Sequence, residues 1–235
     1  VDSLIDLFET VHQPLFVHVH MMGTHLPTWD SYDQAVQAFD GYMQEVIGGL
    51  QRMNQLDNTM IILYTDHGFT DVTNVRIPLM IRFPDGAHAG VIMHNTQNLD
   101  IAPTILDYLG IMPPSWMTGQ SLLEGEPPST RPIFSAAPNY IMANQKNELQ
   151  LDQSKIGPPF YQFGTIGMVI CQNVYTLETA SLKWTQSQVQ GYPNPCPPGS
   201  LPSDRQAQDI MLAQLRTDGF QVGPLEAALA PPAAQ

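Results

Sequence analysis

Met60-Ile61-Ile62-Leu63-Tyr64-Thr65-Asp66-His67-Gly68 is the stretch whose reading decides the fold class. A continuous apolar run of strand length, flanked by turn residues, reads as a strand buried on both faces, as in a parallel sheet. Upstream, between Tyr32 and Leu56, Val36, Phe39, Met43, Val46, Ile47, Leu50 and Met53 recur at three- and four-residue spacing. Polar residues lie between them, so the segment is predicted to be an amphipathic helix, ended by Asp57-Asn58. Earlier still, Leu15-Phe16-Val17-His18-Val19-His20 is a β-rich run that closes in a turn at Gly23, and it reads as a second buried strand. Downstream, residues 75–83 read as another strand, in which Pro78 argues for a bulge or an edge position. Residues 99–109 read as a short helix with Ile101, Ile105, Leu106 and Leu109 on one face and Gly110 as its C-terminal cap. Strand, helix, strand, strand, helix implies an α/β sheet.

After Ile111 the proline pairs Pro113-Pro114, Pro127-Pro128, Pro158-Pro159 and Pro197-Pro198 interrupt the periodic stretches, and the chain reads as irregular. Within it, residues 167–176 and 181–185 are expected to pair as a small antiparallel unit, and residues 204–215 carry helical spacing through Ile210, Met211 and Leu215. Residues 227–235 form an Ala/Pro tail expected to be poorly ordered. The boundaries are therefore 1–123 for the α/β part, 124–226 for an irregular closing subdomain packed on it, and 227–235 for the tail.

Composition narrows the partners. Of 235 residues, charged ones make up 13%, about half the usual ~25%, so the surface is largely uncharged polar. Nine basic against twenty-two acidic residues give a net charge of −13, which opposes phosphate backbones and anionic lipid and argues against nucleic acid as a partner. No run of about eighteen apolar residues occurs, so no transmembrane segment is expected. The start at Val1-Asp2-Ser3, without an initiator methionine, fits a mature product or a piece of something longer. Cys171 and Cys196, twenty-five residues apart, allow either one disulfide or two inert thiols.

The chemistry-bearing residues sit at the ends of the first two apolar runs. Asp66 and His67 follow a buried strand where ligands of open α/β sheets bind, and an adjacent carboxylate and imidazole there suit a metal. The same pair also serves well as a loop cap or in surface hydrogen bonds. In His20-Met21-Met22-Gly23-Thr24-His25-Leu26-Pro27, His25 follows the preceding strand, and one helical crossover brings such strand ends together. His18 and His20 alternate with valines and read as core histidines with satisfied nitrogens.

In order and spacing, residues 20–27, the run from Asp57 to Gly68, Arg76-Ile77-Pro78-Leu79-Met80-Ile81-Arg82, and Asp100-Ile101-Ala102-Pro103-Thr104-Ile105-Leu106-Asp107 with Leu109-Gly110-Ile111 resemble the sulfatase family of the alkaline phosphatase superfamily, which also holds phosphoethanolamine and phosphoglycerol transferases. The likeness covers roughly residues 14–123, the C-terminal part of that domain. It implies part of an alkaline-phosphatase-like, mainly parallel sheet flanked by helices, followed by the Pro-rich region with its small antiparallel sheet. It further implies a metal-dependent hydrolase or transferase of sulfate or phosphate esters, in which Asp66 and His67 are metal ligands and His25 contacts the transferred group or its leaving oxygen. Zinc or manganese is expected ahead of calcium, because an imidazole ligand suits softer ions. A bound cation would also admit an anionic ester into an acidic protein.

Three departures bear on that function. The family's nucleophile and further metal-binding carboxylates precede the stretch where this chain begins. Only residues 69–75 fill the gap after the Asp-His-Gly turn, where active members carry a longer loop with another histidine or lysine, and neither His88 nor His94 matches that position. Nothing diagnostic follows Glu124. The expectation is an extracytoplasmic, sulfatase-like domain whose intact parent is the enzyme and which is inactive alone. Its alternative is a degenerate domain serving as an accessory subunit, needing no metal, with protein partners covering its truncated sheet edge.

Overall fold

The computed structural model describes residues 1–21, 31–68, 76–139, 141–146, 148–189 and 194–229. The chain divides into two compact units, residues 1–63 with 80–89 and residues 64–79 with 90–235.

In the first unit, α1 (Asp2–Thr10) precedes α2 (Tyr32–Arg52), and the strands β1 (Ile61–Tyr64) and β2 (Leu79–Arg82) pair as a two-stranded sheet. Ser31 caps α2, its hydroxyl accepting from the Gln34 N–H at 3.3 Å, and Arg52 lies in the last turn where the helix dipole favours a cation. Glycine inside a helix costs about 0.5–1 kcal/mol. Gly49 has a reason to be there, because a Cβ on it would lie 3.2 Å from the Ile5 side chain of α1. The Arg82 guanidinium ties β2 to the turn before β1, donating to the carbonyl of Leu56 at 2.7 Å and to Asp57 Oδ1 at 3.0 Å.

Three expectations fail in this unit. The strand β1 is not buried on both faces: Ile61, Ile62 and Leu63 are partly buried and Tyr64 is exposed, because β2 is its one paired neighbour among the described residues. Residues 15–20 form no strand: they join no ladder with β1 or β2, and Phe16 is 81% exposed. A β-rich run becomes a strand only where another backbone takes up its N–H and C=O groups. For the same reason His18 and His20 are exposed rather than packed in a core. The helix α1, with Leu4, Ile5, Leu7 and Phe8 all partly buried, was not anticipated from the sequence.

The second unit holds α3 (Ile101–Tyr108), a hairpin of β4 (Ile141–Ala143) and β5 (Leu149–Leu151), and a four-stranded antiparallel sheet. That sheet has the order β3 (Ile133–Pro138), β6 (Phe163–Ile170), β7 (Asn173–Glu178), β8 (Lys183–Gln188). The residues expected to make a small antiparallel unit are its centre. Alternation puts Ile166, Met168 and Ile170 of β6 with Tyr175 and Leu177 of β7 in one core, packed with Ala207, Met211, Leu212 and Leu215 of α4 (Asp204–Thr217). Ser203 and Gln206 form a capping box at the start of α4, and Trp184 Nε1 donates to Asp204 Oδ1 at 2.8 Å. The final helix α5 (Gly223–Leu229) buries Leu225 in the same core and so takes in the first residues of the Ala/Pro stretch, while residues 230–235 lie outside the described residues. Cys171 and Cys196 are disulfide-bonded, joining the β6–β7 turn to the segment before α4.

Asp100 organises the chain from α3 to β3. It is completely buried, and Arg131, immediately before β3, forks onto it at 2.9 and 2.8 Å. The Gln97 and Gln120 N–H groups donate to the same two oxygens at 3.0 and 2.9 Å. Thr104 donates to the Asp100 carbonyl at 2.6 Å and accepts from the Leu122 N–H at 3.0 Å, while Ser121 donates to Asp107 at 2.5 Å. The segment 119–122 is thereby pressed onto the start of α3. A Cβ at Gly119 would lie only 1.8 Å from the Leu99 carbonyl oxygen, so this approach requires glycine. At the other end of α3, Gly110 has a φ of +68°, and the N–H groups of Gly110 and Ile111 return to Asp107 and Leu106, which satisfies the last carbonyls of the helix.

Removing one partner of a buried ion pair leaves a buried charge unpaired. Arg131→Met is expected to lower the free energy of unfolding in urea by about 3–5 kcal/mol. Arg205→Met, which breaks the exposed Arg205–Asp209 pair of α4, is expected to change it by about 0.5 kcal/mol or less. Equal losses from the two substitutions would contradict this account of Asp100.

Candidate metal centre

Asp66, His67 and Gly68 follow directly on β1, as the sequence predicts. The half-buried strand ends at Tyr64, Thr65 continues it, and the chain bends at Asp66 and His67. Asp66 Oδ1 accepts the His67 N–H at 3.0 Å, which turns the carboxylate towards its neighbour. His67 Nδ1 lies 2.8 Å from the Gly68 carbonyl oxygen. A carbonyl oxygen only accepts, so Nδ1 carries a proton, and in the neutral imidazole Nε2 is the ring atom able to ligate. That nitrogen is 3.7 Å from Asp66 Oδ1, a separation that one cation at the usual ~2.0–2.2 Å from each atom can bridge.

The donor set therefore fits a divalent cation. A ligating histidine ordinarily gives its second N–H to a carbonyl or carboxylate, which fixes ring and tautomer as Gly68 does here. The side chain of His67 is 30% exposed and that of Asp66 is 68% exposed, so both donors are open to solvent. Among the described residues no three histidine, cysteine or acidic side chains gather into a metal-holding group, and the pair supplies two ligands.

His25, the third residue expected in this cleft, lies outside the described residues, as do Thr24 and Thr70. His88 and His94 are engaged elsewhere. His88 packs edge-on against Phe83 with ring centroids 4.9 Å apart, and His94 Nδ1 is 2.6 Å from the Pro127 carbonyl and 3.2 Å from Glu126. An apolar groove lined by Phe134, Phe163, Met211 and Phe220 contains none of the candidate site residues.

One neighbour of the pair escaped the sequence reading. Asn98 Nδ2 donates to the Thr65 carbonyl at 2.8 Å, and the Thr65 hydroxyl is buried with no hydrogen-bond partner among the described residues. Asn98 opens the 3-10 turn Asn98–Asp100, whose preceding residue Gln97 exchanges capping-box bonds with Asp100. A polar residue three positions before an acidic one, ahead of an apolar run, was the available signal of that turn.

Residues 63–133 match the family model described as N-sulphoglucosamine sulphohydrolase, C-terminal. The chain is 33% identical over 103 residues to the extracellular sulfatase SULF-1 homolog of Drosophila melanogaster, covering 38% of this chain and 9% of that protein. It is 34% identical over 104 residues to an N-acetylglucosamine-6-O-sulfatase of Bacteroides thetaiotaomicron, covering 39% and 19%. The chain thus spans less than a quarter of the length of either relative. In fold, it resembles a solved protein from a Bacteroides thetaiotaomicron locus for the metabolism of multiple glycosaminoglycans. The TM-score is 0.52 at 17% identity, over 96% of this chain and 51% of that one. Motif order and family model converge on the sulfatase family of the alkaline phosphatase superfamily: residues 63–133 are similar to the C-terminal part of its members, and the fold agrees with that likeness.

Proposed function

We propose that this chain contributes the Asp66–His67 metal-binding pair of a sulfate-ester hydrolase whose nucleophile is supplied from outside these 235 residues. The observation that carries the reading is the pairing of His67 Nδ1 with the Gly68 carbonyl, which leaves Nε2 as the ring atom 3.7 Å from the Asp66 carboxylate. Sulfate esters are preferred over phosphate esters because both relatives above are named as sulfatases. In the intact protein Asp66 and His67 would hold a zinc or manganese ion, which would supply positive charge to the ester oxygens and lower the nucleophile's pKa. The Gly68 carbonyl keeps the imidazole in its ligating tautomer. His25 contacts the departing oxygen and stabilises or protonates it. The Cys171–Cys196 disulfide and the extracellular relative support an extracytoplasmic location.

One observation favours a second reading, in which the domain is a degenerate accessory subunit. Leu15, Phe16, Val17 and Val19 are exposed on a segment that pairs with neither β1 nor β2. A partner chain covering them is what that reading requires.

Two experiments test the enzyme reading. Calorimetry on this chain is expected to show weak zinc and manganese binding that disappears in Asp66→Asn/His67→Gln, because two solvent-open ligands form an incomplete site. Tight binding that survives the double substitution would place the ligands elsewhere. In the longer parent protein, each single substitution is expected to lower kcat/KM for p-nitrophenyl sulfate by roughly 10²-fold or more, and the isolated chain is expected to show no turnover. Turnover by the isolated chain, abolished by His25→Ala, would mean that the nucleophile lies within it, with Thr24, Thr65 and Thr70 as the nearest hydroxyls.

A further inference from the structure

We infer that Asn98 is the positioning residue of the Asp66–His67 pair, holding it in ligating geometry through the Thr65 carbonyl; this rests on the metal-binding reading above. The bond from Asn98 Nδ2 to that oxygen is 2.8 Å long and spans 33 positions of sequence. The Thr65 carbonyl belongs to the same rigid peptide plane as the Asp66 N–H. Fixing that oxygen fixes the plane, and the plane sets where the Asp66 side chain leaves the backbone. His67 follows, because its N–H is bonded to Asp66 Oδ1. The hydroxyl of Thr65 is buried without a partner among the described residues, so the carbonyl carries the link.

The anchor itself is stiff. Asn98 stands between Gln97, whose N–H is held by Asp100, and Leu99, whose carbonyl is pressed against Gly119. Asp100 is clamped in turn by Arg131 and by the Gln120 N–H. A short relay therefore runs from a buried ion pair through one amide side chain to the backbone of the two metal ligands. Asn98 touches neither the ligands' donor atoms nor a cation in this relay. Loss of such outer partners typically weakens metal binding about 10–100-fold.

The test uses the whole chain, with manganese chloride as the probe and two nuclear magnetic resonance readouts on His67: the ¹⁵N pattern that reports its tautomer and the paramagnetic broadening of its ring protons. In the unsubstituted chain His67 is expected to show the Nδ1–H tautomer and to broaden on manganese addition. In Asn98→Leu, or in Asn98→Ser if the leucine variant fails to fold, the ring is expected to populate both tautomers. Equal broadening should then need roughly 10-fold more manganese. Ser121→Ala, which removes the bond to Asp107 but leaves Asn98 intact, is expected to lower the melting temperature without moving either readout. Unchanged tautomer and titration in the Asn98 variants would overturn the inference, as would an equal shift in Ser121→Ala. If manganese leaves His67 unbroadened in the unsubstituted chain, the metal reading falls. The tautomer readout then decides on Asn98 by itself, and a single Nδ1–H tautomer in both Asn98 variants would overturn its role.

Discussion

A carboxylate removed from water must be surrounded by donors, and the region between α3 and β3 is arranged by that requirement. Asp100 receives four N–H groups on two oxygens, from Arg131, Gln97 and Gln120, with no exposure to solvent. Each donor comes from a different stretch of chain, so satisfying the charge fixes the start of α3, the segment 119–122 and the approach to β3 together. Without Arg131 the charge would be buried alone, and desolvation would exceed what backbone donors return. The energetics of the unit and the placement of Asn98 thus share one cause.

The elements legible in the sequence were those whose signal is local. The spacing from Val36 to Met53 produces α2, the apolar run at Ile61–Tyr64 produces β1, and Gly110 closes α3 where its positive φ is needed. Asp66 and His67 were legible as a candidate site because a strand end followed by a carboxylate and an imidazole is a local pattern as well. Residues 15–20 misled because strand formation depends on a second backbone, about which a β-rich hexamer says nothing. Asn98 was missed for a related reason: its partner is a backbone carbonyl 33 positions away, and composition cannot reveal that meeting. The disulfide stayed open on sequence because a separation of twenty-five residues does not determine a Cα–Cα distance, which the fold sets at 5.5 Å.

The chemistry of the candidate site and its incompleteness have a common origin in exposure. A net charge of −13 repels anionic esters, and only a local cation reverses the field at one point of the surface. The side chains that would hold it are half open to water, where competition from solvent keeps two-ligand affinity low. The pair therefore gains from being pre-oriented, because every rotation frozen before binding is one the cation need not freeze itself. The Gly68 carbonyl freezes the imidazole ring, and Asn98 acts on the peptide that carries the carboxylate.

The two glycines flanking this region differ in what they tolerate. Gly110 faces open space, and its constraint is the left-handed backbone alone, a conformation that asparagine also adopts. Gly119 is constrained by the Leu99 carbonyl oxygen, which occupies the position of any Cβ. Under a folding selection, a saturation library would return glycine and asparagine at position 110 and glycine alone at position 119. Position 119 is thus closed to sequence drift for as long as the chain keeps Asp100 buried, and the closure follows from one hydrogen atom's width of space rather than from any chemistry of the site.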